Sequence, residues 1–206
     1  GVAALNPLTP RGCPRYRCLM TQWRPRSGIR VKSLGLHWRN GRLLAAEVHD
    51  DAGRVKGVRP LGGTVEFGET AEAAVIREFR EELGIDVTTS GPPVFMENIY
   101  SHEGTPGHEI LALFDVRFPA GTFDGEDRIA FHEHDGEVCY AEWFDLDDLD
   151  RPGCPDLYPT GLKAQLSNPV TGLPGPESQN DRHQAQPRTL AAIRYSGENA
   201  RRPRSG

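Results

Sequence analysis

The chain is poor in cysteine, with four in 206 residues, and it has no Cys-x-x-Cys pair or repeated cysteine spacing. Disulfide-stabilised secreted domains and cysteine-based zinc sites need more thiols at regular intervals. We therefore exclude a disulfide framework and expect Cys13, Cys18, Cys139 and Cys154 to be unpaired thiols. Metal binding or oxidation of the first two is a minor alternative.

Long hydrophobic runs are also missing. No stretch of roughly 18 or more apolar residues occurs, and the chain does not begin with the charged-then-apolar pattern of a secretory signal. These absences favour a soluble, cytoplasmic protein with no membrane partner.

Positive charge is scarce in the middle of the chain. Residues 31–166 carry 12 basic and 26 acidic residues, whereas residues 1–30 carry six arginines and no acids, and residues 167–206 carry six arginines and three acids. An acidic core repels a bare polyphosphate, so a phosphate-containing substrate is expected to arrive with a divalent cation. The basic ends suggest nucleic acid only weakly, and we do not expect it as a partner.

Composition divides the chain into three parts. Residues 1–27 form an irregular basic extension, residues 28–166 form one domain, and residues 167–206 are rich in Pro, Gly, Ser, Gln, Asn and Arg, which is typical of a disordered tail. The first methionine is Met20, and we expect the natural start there, with the preceding residues derived from upstream sequence.

The domain reads as a mixture of strands and helices. Asn40-Gly41 between two apolar runs predicts a hairpin over Ile29 to His49. Further strands are predicted in four segments: Val55 to Val58, Val94 to His102, Ile110 to Phe118, and Val138 to Phe144, with the second and third joined by a turn at residues 104–107. A short helical turn at Asp145 to Leu149 and a last helix at Gly161 to Leu166 complete an α/β (α+β) sandwich.

The segment Thr70 to Leu83 predicts one long helix, since it is rich in Ala and Glu, lacks Pro and Gly, and is followed by Gly84. Glu78, Glu81 and Glu82 lie at i, i+3 and i+4, which places three carboxylates on one face. Their mutual repulsion is relieved by a divalent cation, and an all-oxygen ligand set suits Mg2+, with Mn2+ as a substitute.

The helix is part of a longer motif. Gly63, Glu69, Arg77-Glu78-Phe79, Glu81-Glu82 and Gly84-Ile85 follow the pattern G-x5-E-x7-R-E-U-x-E-E-x-G-U, where U is apolar. This motif resembles the signature of the Nudix hydrolases. The resemblance implies a mixed sheet between helices over residues 28 to 166, and metal-dependent cleavage of a nucleoside diphosphate linked to another group. It also implies that Arg77 orients the metal-binding glutamates.

The loop before the helix, Arg59 to Glu69, contains three glycines that allow a ligand close to the backbone. The resemblance implies that a carbonyl here, of Gly62 or Gly63, is a further metal ligand. The family's usual proline directly before the two glycines is replaced by Leu61. Arg59, Gly62 and Gly63 are our candidates for substrate binding.

Hydrolysis also needs a base that activates water. Glu78 is the first choice, with the loop residues Glu103, Glu109, Glu133 and Glu137 as alternatives. The histidines His102, His108, His132 and His134 could supply a zinc site only if three or four ligands converge, and surface or substrate contacts are favoured for them. Trp38, Tyr100 and Phe114 could stack on a base, but packing is the default expectation.

The sequence therefore predicts a Mg2+-dependent pyrophosphohydrolase acting on a small nucleotide. ADP-ribose-like compounds, dinucleoside polyphosphates and nucleoside triphosphates all remain open as substrates. Two alternatives are a Nudix-fold nucleotide-binding regulator without catalysis and an RNA cap-type hydrolase. Many members of the family pair, so a homodimer is kept open, although no stretch identifies an interface.

Overall fold

The computed structural model describes residues 23–132, 136, 138–168, 172–173 and 175. This part of the chain forms ten strands and two helices. The strands are β1 (Ile29–Leu36), β2 (Trp38–Arg39), β3 (Arg42–His49), β4 (Val55–Arg59), β5 (Gly62–Thr64), β6 (Thr88–His102), β7 (Thr105–Arg117), β8 (Arg128–His132), β9 (Val138–Phe144) and β10 (Asp156–Leu157). The helices are α1 (Ala71–Leu83) and α2 (Leu162–Leu166), with a 3₁₀ turn at Leu146–Asp148.

The strands are divided between two mixed sheets. The first has the order β5-β1-β7-β6, with β1 and β7 parallel and the other pairs antiparallel. The second has the order β10-β4-β3-β9-β8, with β2 also paired to β3 and only the pair of β10 and β4 parallel. The predicted α+β class with mixed strand directions is confirmed.

Each face of the sheets contributes to its own hydrophobic core. Along β7, Leu111 and Leu113 enter one core, while Ala112 and Phe114 enter the other. Helix α1 covers the second core with Val75 and Phe79, and the first core is covered by residues of the 3₁₀ turn and α2: Leu146, Leu149, Leu162 and Leu166. The sheets therefore lie between helical layers, as the sequence predicts.

Helix α1 begins and ends as predicted. The Thr70 hydroxyl accepts a hydrogen bond from the Ala73 amide at 3.1 Å, and Gly84 ends the helix in the left-handed conformation at φ 69°. The helix lies close to β1 because Gly35 has no side chain, since a Cβ there would be 2.4 Å from Cε2 of Phe79. This close packing fixes the height of the glutamate-bearing face above the sheet.

The predicted hairpin is correct at its turn and wrong in its first strand. Asn40 and Gly41, at φ 52° and 77°, join β2 to β3. Residues 29–36, however, pair with β7 in the first sheet, and only Trp38–Arg39 pair with β3. The chain changes sheets at His37, which the continuous apolar pattern does not reveal.

Two other predictions are corrected, and two short strands were not predicted. The turn between β6 and β7 is Glu103-Gly104, both at positive φ (49° and 78°), so residues 105–107 already belong to β7. Strands β8 and β10 were missed because they have only five and two residues. The glycine segment at residues 62–64 is strand β5 rather than a loop, because it pairs with β1.

The predicted extension and tail lie mostly outside the described residues, as do Cys13, Cys18 and Met20. Within the described part, Trp23 packs edge-on against His102 with 5.0 Å between ring centroids. No helix in the described residues is long and apolar enough to cross a membrane.

Candidate active site

Arg77, on the middle of α1, binds three glutamates at once. Its Nε donates to Oε1 of Glu69 at 2.9 Å and its Nη2 to Oε2 of the same residue at 3.1 Å. Its Nη1 donates to Oε1 of Glu78 at 2.9 Å and to Oε2 of Glu81 at 3.0 Å. One guanidinium therefore gathers the carboxylates of Glu69, Glu78 and Glu81 into one cluster, which we call the glutamate cluster together with Glu82.

The contacts between Arg77 and the glutamates shift the pKa values of both partners. The hydrogen bonds to Glu69, followed by those to Glu78 and Glu81, raise the pKa of Arg77 above its usual value despite partial burial. The Arg77 hydrogen bonds in turn lower the pKa of Glu69. The planar guanidinium of Arg77 can hold several carboxylates at once because it presents its N–H donors in one fixed plane.

The backbone of β5 contacts the cluster at two points. Nη2 of Arg77 also donates to the Thr64 carbonyl at 3.0 Å. A Cβ on Gly63 would lie 2.1 Å from Oε1 of Glu78, so only glycine leaves room for that carboxylate. Gly62 adopts φ 133°, and a Cβ there would lie 2.1 Å from the Ser33 carbonyl. The two glycines are therefore required by the site and by the pairing of β5 with β1.

A cleft of about 430 Å³ opens beside the cluster. Glu82, Gly62 and Arg59 line it, which brings three of the predicted site residues together around one space. Oε2 of Glu82 is shielded from solvent. Four further charged residues line the same cleft: Lys32, Glu47, Asp50 and Asp51.

The donors of the cluster fit a hard divalent cation. They are carboxylate oxygens beside the carbonyl-bearing glycine strand, with no thiolate or imidazole in the described set. Within the described ranges, no group of three or more His, Cys, Asp or Glu side chains is arranged to hold a metal ion. Glu78 and Glu81 each give one oxygen to Arg77.

The glutamates considered as alternative bases do not belong to the glutamate cluster. Glu109 is not in a loop but on β7, where it is buried and paired with Arg30 at 2.7 Å. Glu103 is in the turn between β6 and β7, 3.7 Å from Nζ of Lys56. Glu133 and Glu137 lie outside the described residues.

The histidines and aromatic residues mostly have other partners. Nδ1 of His102 is 2.7 Å from Nζ of Lys56, and Nε2 of His108 is 2.9 Å from Glu97. His132 is exposed at the end of β8, and His134 lies outside the described residues. Trp38 is buried in the first core and Phe114 in the second, so both pack in the interior as expected from the sequence. The Tyr100 hydroxyl contacts Arg30 and Glu109.

Two residues of the site were missed from the sequence. Glu69 was recognised as part of the motif but was given no role, although it makes the bidentate contact with Arg77. Its fixed spacing before Arg77 was the available signal. Lys32 was not noticed, although a lysine in an apolar strand is an unusual feature.

Comparison with known proteins shows the family of the chain. The model of the NUDIX domain matches residues 34–162, which is more than half of the chain. The chain is also similar to the NAD-capped RNA hydrolase NudC of Stutzerimonas stutzeri, with 30% identity over 126 residues covering 56% of this chain and 38% of that protein. NudC of Pseudomonas aeruginosa (strain LESB58) is 32% identical over 89 residues, covering 43% of this chain and 27% of that protein.

The chain thus spans less than two fifths of the length of these curated relatives. Among solved structures, the MutT NUDIX hydrolase of Burkholderia pseudomallei is similar at 24% identity with a TM-score of 0.44, covering 68% of this chain and 99% of that one. The match to the family model carries the assignment by itself. The chain belongs to the NUDIX domain family, as its motif indicates.

Proposed function

We propose that the chain is a Mg2+-dependent pyrophosphohydrolase that cleaves a nucleoside diphosphate linked to another group. The observation that carries the proposal is the set of hydrogen bonds from Arg77 to Glu69, Glu78 and Glu81. Glu82, on the same helix, lines a cleft of about 430 Å³. A cleft of this volume lies within the usual range for a nucleotide-sized ligand.

Mg2+ would be held by Glu78, Glu81 and Glu82, with the Gly62 carbonyl as a further oxygen donor. When bound, it would supply positive charge beside the phosphate oxygens. Arg77 keeps the carboxylates of Glu78 and Glu81 at fixed positions by holding one oxygen of each. Such support of ligand side chains is worth about 10- to 100-fold in metal affinity or activity.

Glu78 is the proposed base. A carboxylate oxygen has two lone pairs, so Oε1 of Glu78 can accept from Arg77 and still bind the cation, which leaves Oε2 to take the proton of the attacking water. The water oxygen forms a bond to phosphorus, the anhydride P–O bond breaks, and its electron pair leaves on the departing phosphate. The products are a nucleoside monophosphate and a phosphorylated remainder.

Arg59 is the proposed contact to the phosphates of the substrate, since its side chain lines the cleft together with Glu82 and Gly62. A guanidinium offers paired donors that match phosphate oxygens. Substrate would then lie between the glutamate cluster and Arg59.

A second candidate is suggested by the relatives. The two similar proteins described above are NAD-capped RNA hydrolases. Dinucleotide pyrophosphates such as NADH therefore join the substrate candidates, and an RNA cap carrying the same linkage is the extended form of this candidate. A binding protein without catalysis is disfavoured, because no glutamate of the motif is missing.

The test is hydrolysis of a panel containing ADP-ribose, NADH, dinucleoside polyphosphates, nucleoside triphosphates and an NAD-capped RNA, each with Mg2+, Mn2+ or chelator. Turnover of one compound that is abolished by chelator is the expected result. A folded, metal-supplied sample that hydrolyses none of them would overturn the proposal in favour of the binding protein.

Glu82→Gln provides a matched variant, since it removes one anionic ligand with little change of shape. Turnover is expected to fall at least about tenfold. Glu72→Gln, on the exposed first turn of the same helix, is the control and is expected to keep full turnover. Normal Mg2+-dependent turnover by Glu82→Gln would show that the ligand assignment is wrong.

A further inference from the structure

Lys32 is a buried cation that points into the cleft. It lies on β1, on the same face as Arg30 and the core residue Leu34, and only 7% of its surface is exposed. It nevertheless lines the cleft beside Arg59, Gly62 and Glu82. A lysine is almost never buried to this degree without a partner for its charge.

The carboxylate nearest to Lys32 has stronger partners. Oε1 of Glu109 accepts a hydrogen bond from Arg30 at 2.7 Å and from the Tyr100 hydroxyl at 3.3 Å. Nζ of Lys32 lies 3.6 Å from the same oxygen, longer than a normal hydrogen bond. Asn98 approaches the other oxygen at 3.4 Å. Glu109 is therefore shared by two cations and held mainly by Arg30.

Arg59 adds further positive charge. Within the part of the chain that the structure describes, no carboxylate lies within salt-bridge distance of its guanidinium. Burial, and next the neighbouring charge of Arg59, lower the pKa of Lys32 to about 7, an effect that Glu109 opposes. Lys32 thus has two guanidinium neighbours, Arg30 and Arg59, and one carboxylate neighbour, Glu109, which Arg30 holds more closely. Three other carboxylates that line the cleft pair with arginines outside it: Glu47 with Arg128, Asp50 with Arg54, and Asp51 with Arg24.

We propose that Lys32 and Arg59 together form a phosphate-binding site in the cleft, which holds a phosphate group of the nucleotide next to the glutamate cluster. This inference rests on the proposed function for the identity of the ligand, but the binding step needs no metal and no hydrolysis. The phosphate would supply the negative charge that Glu109 alone does not provide. It would lie in the same space as Glu82 and Gly62, where cleavage is proposed.

The experiment is calorimetric titration of the purified chain with ADP in the presence of EDTA, at pH 8. Lys32→Met removes the charge while keeping the length of the side chain, and Arg30 still holds Glu109 in this variant. ADP affinity is expected to fall about tenfold or more, which is the size expected for one lost hydrogen bond to a charged group. Lys163→Met, whose lysine donates to the Leu149 carbonyl, is the matched control and is expected to bind normally.

Proton uptake gives a second readout that a structural role would not produce. The groups facing Lys32 are Arg30 on its own strand, Arg59 at the end of β4, Glu109 on β7 and Tyr100 on β6. ADP binding at pH 8, measured in two buffers of different ionisation enthalpy, is expected to draw close to one proton into the wild-type complex. The uptake is expected to disappear in Lys32→Met.

The outcomes separate this inference from the proposed function. Unchanged ADP affinity and unchanged proton uptake in a folded Lys32→Met variant would overturn it, even if hydrolysis is confirmed. Weaker binding in that variant supports it, even if no panel compound is hydrolysed. If circular dichroism shows that Lys32→Met does not fold, two other measurements test the site: proton uptake by the wild-type chain and ADP binding by Arg59→Met. The absence of proton uptake, together with unchanged ADP affinity of Arg59→Met, would overturn the site.

Discussion

Two charged regions of opposite sign meet at the cleft. In the glutamate cluster, Arg77 pairs with three carboxylates, those of Glu69, Glu78 and Glu81, at the partly exposed surface of α1. On the strands, the buried Lys32 has two guanidinium neighbours, Arg30 and Arg59, and one carboxylate neighbour, Glu109. The first region therefore suits a cation as ligand, and the second suits an anion.

Under the proposed function, the difference between the regions would let an acidic domain accept a polyphosphate. A bare phosphate would be repelled by the glutamate cluster, and a bare cation would be repelled by Lys32 and Arg59. A cation–polyphosphate complex would satisfy both regions at once, so the cleft would select for this complex through its charge pattern.

The largest expected effect comes from removing the proposed base. Glu78→Gln leaves Oε1 able to accept from Arg77 but removes the negative charge and the proton-accepting atom. Since general bases contribute about 10²- to 10⁴-fold, kcat is expected to fall by that factor. The measurement is steady-state hydrolysis of the best panel compound, with Glu72→Gln as control. A Glu78→Gln enzyme within twofold of wild type would place the base elsewhere.

A smaller loss is expected from Arg77→Met, which frees the carboxylates of Glu69, Glu78 and Glu81. We expect about 10- to 100-fold lower kcat/KM and weaker Mn2+ binding. Arg80→Met on the same helix, where the arginine pairs with Asp86, is the control. If Arg77→Met loses ADP binding in EDTA but keeps metal binding, then Arg77 contacts substrate and its assigned role is wrong.

The buried lysine makes stability depend on pH. Because the pKa of Lys32 is about 7 in the folded chain and 10.5 in the reference state, the unfolded chain binds more protons between these values. Stability is therefore expected to rise with pH above about 7, by on the order of 2 kcal/mol between pH 7 and pH 9. Urea unfolding at both pH values checks this, and a rise that persists unchanged in Lys32→Met would contradict it.

The smallest expected effect belongs to Glu69. Its folded pKa lies below the ordinary 4.5 because of Arg77, so its stabilising contribution is present above that value and is lost as the pH falls through the folded pKa. Glu69→Gln is expected to lower the free energy of unfolding by less than about 1 kcal/mol at pH 7. No loss is expected at a pH low enough to protonate Glu69 in the folded chain. Urea unfolding at pH 7 and at pH 3 measures the difference, and an equal loss at both values would rule out the ion pair as its cause.

Local signals in the sequence were sufficient for the helix and its chemistry. The composition of α1 and the Gly84 stop lie in one continuous segment, so the helix and the i, i+3, i+4 arrangement of its glutamates could be predicted. The Asn40-Gly41 turn was predictable for the same reason. The family and the fold class were confirmed.

Distant pairing explains what the sequence did not reveal. The assignment of β1 to the first sheet depends on its parallel register with β7, far along the chain, and the apolar pattern of β1 suits either sheet. The burial of Lys32 likewise depends on Glu109 of β7. Glu109 itself was expected in a loop, because the length of β7 is set by its pairing with β6.

The most direct test of the two-region account is titration with Mn2+, followed by electron paramagnetic resonance, with and without ADP. We expect Mn2+ to bind the chain and ADP to tighten this binding. We expect Lys32→Met to reduce the tightening by ADP without changing the affinity for Mn2+ in the absence of ADP. Mn2+ binding that is unaffected by combined Gln substitution of Glu78, Glu81 and Glu82, or by ADP in the wild-type chain, would contradict the two-region account.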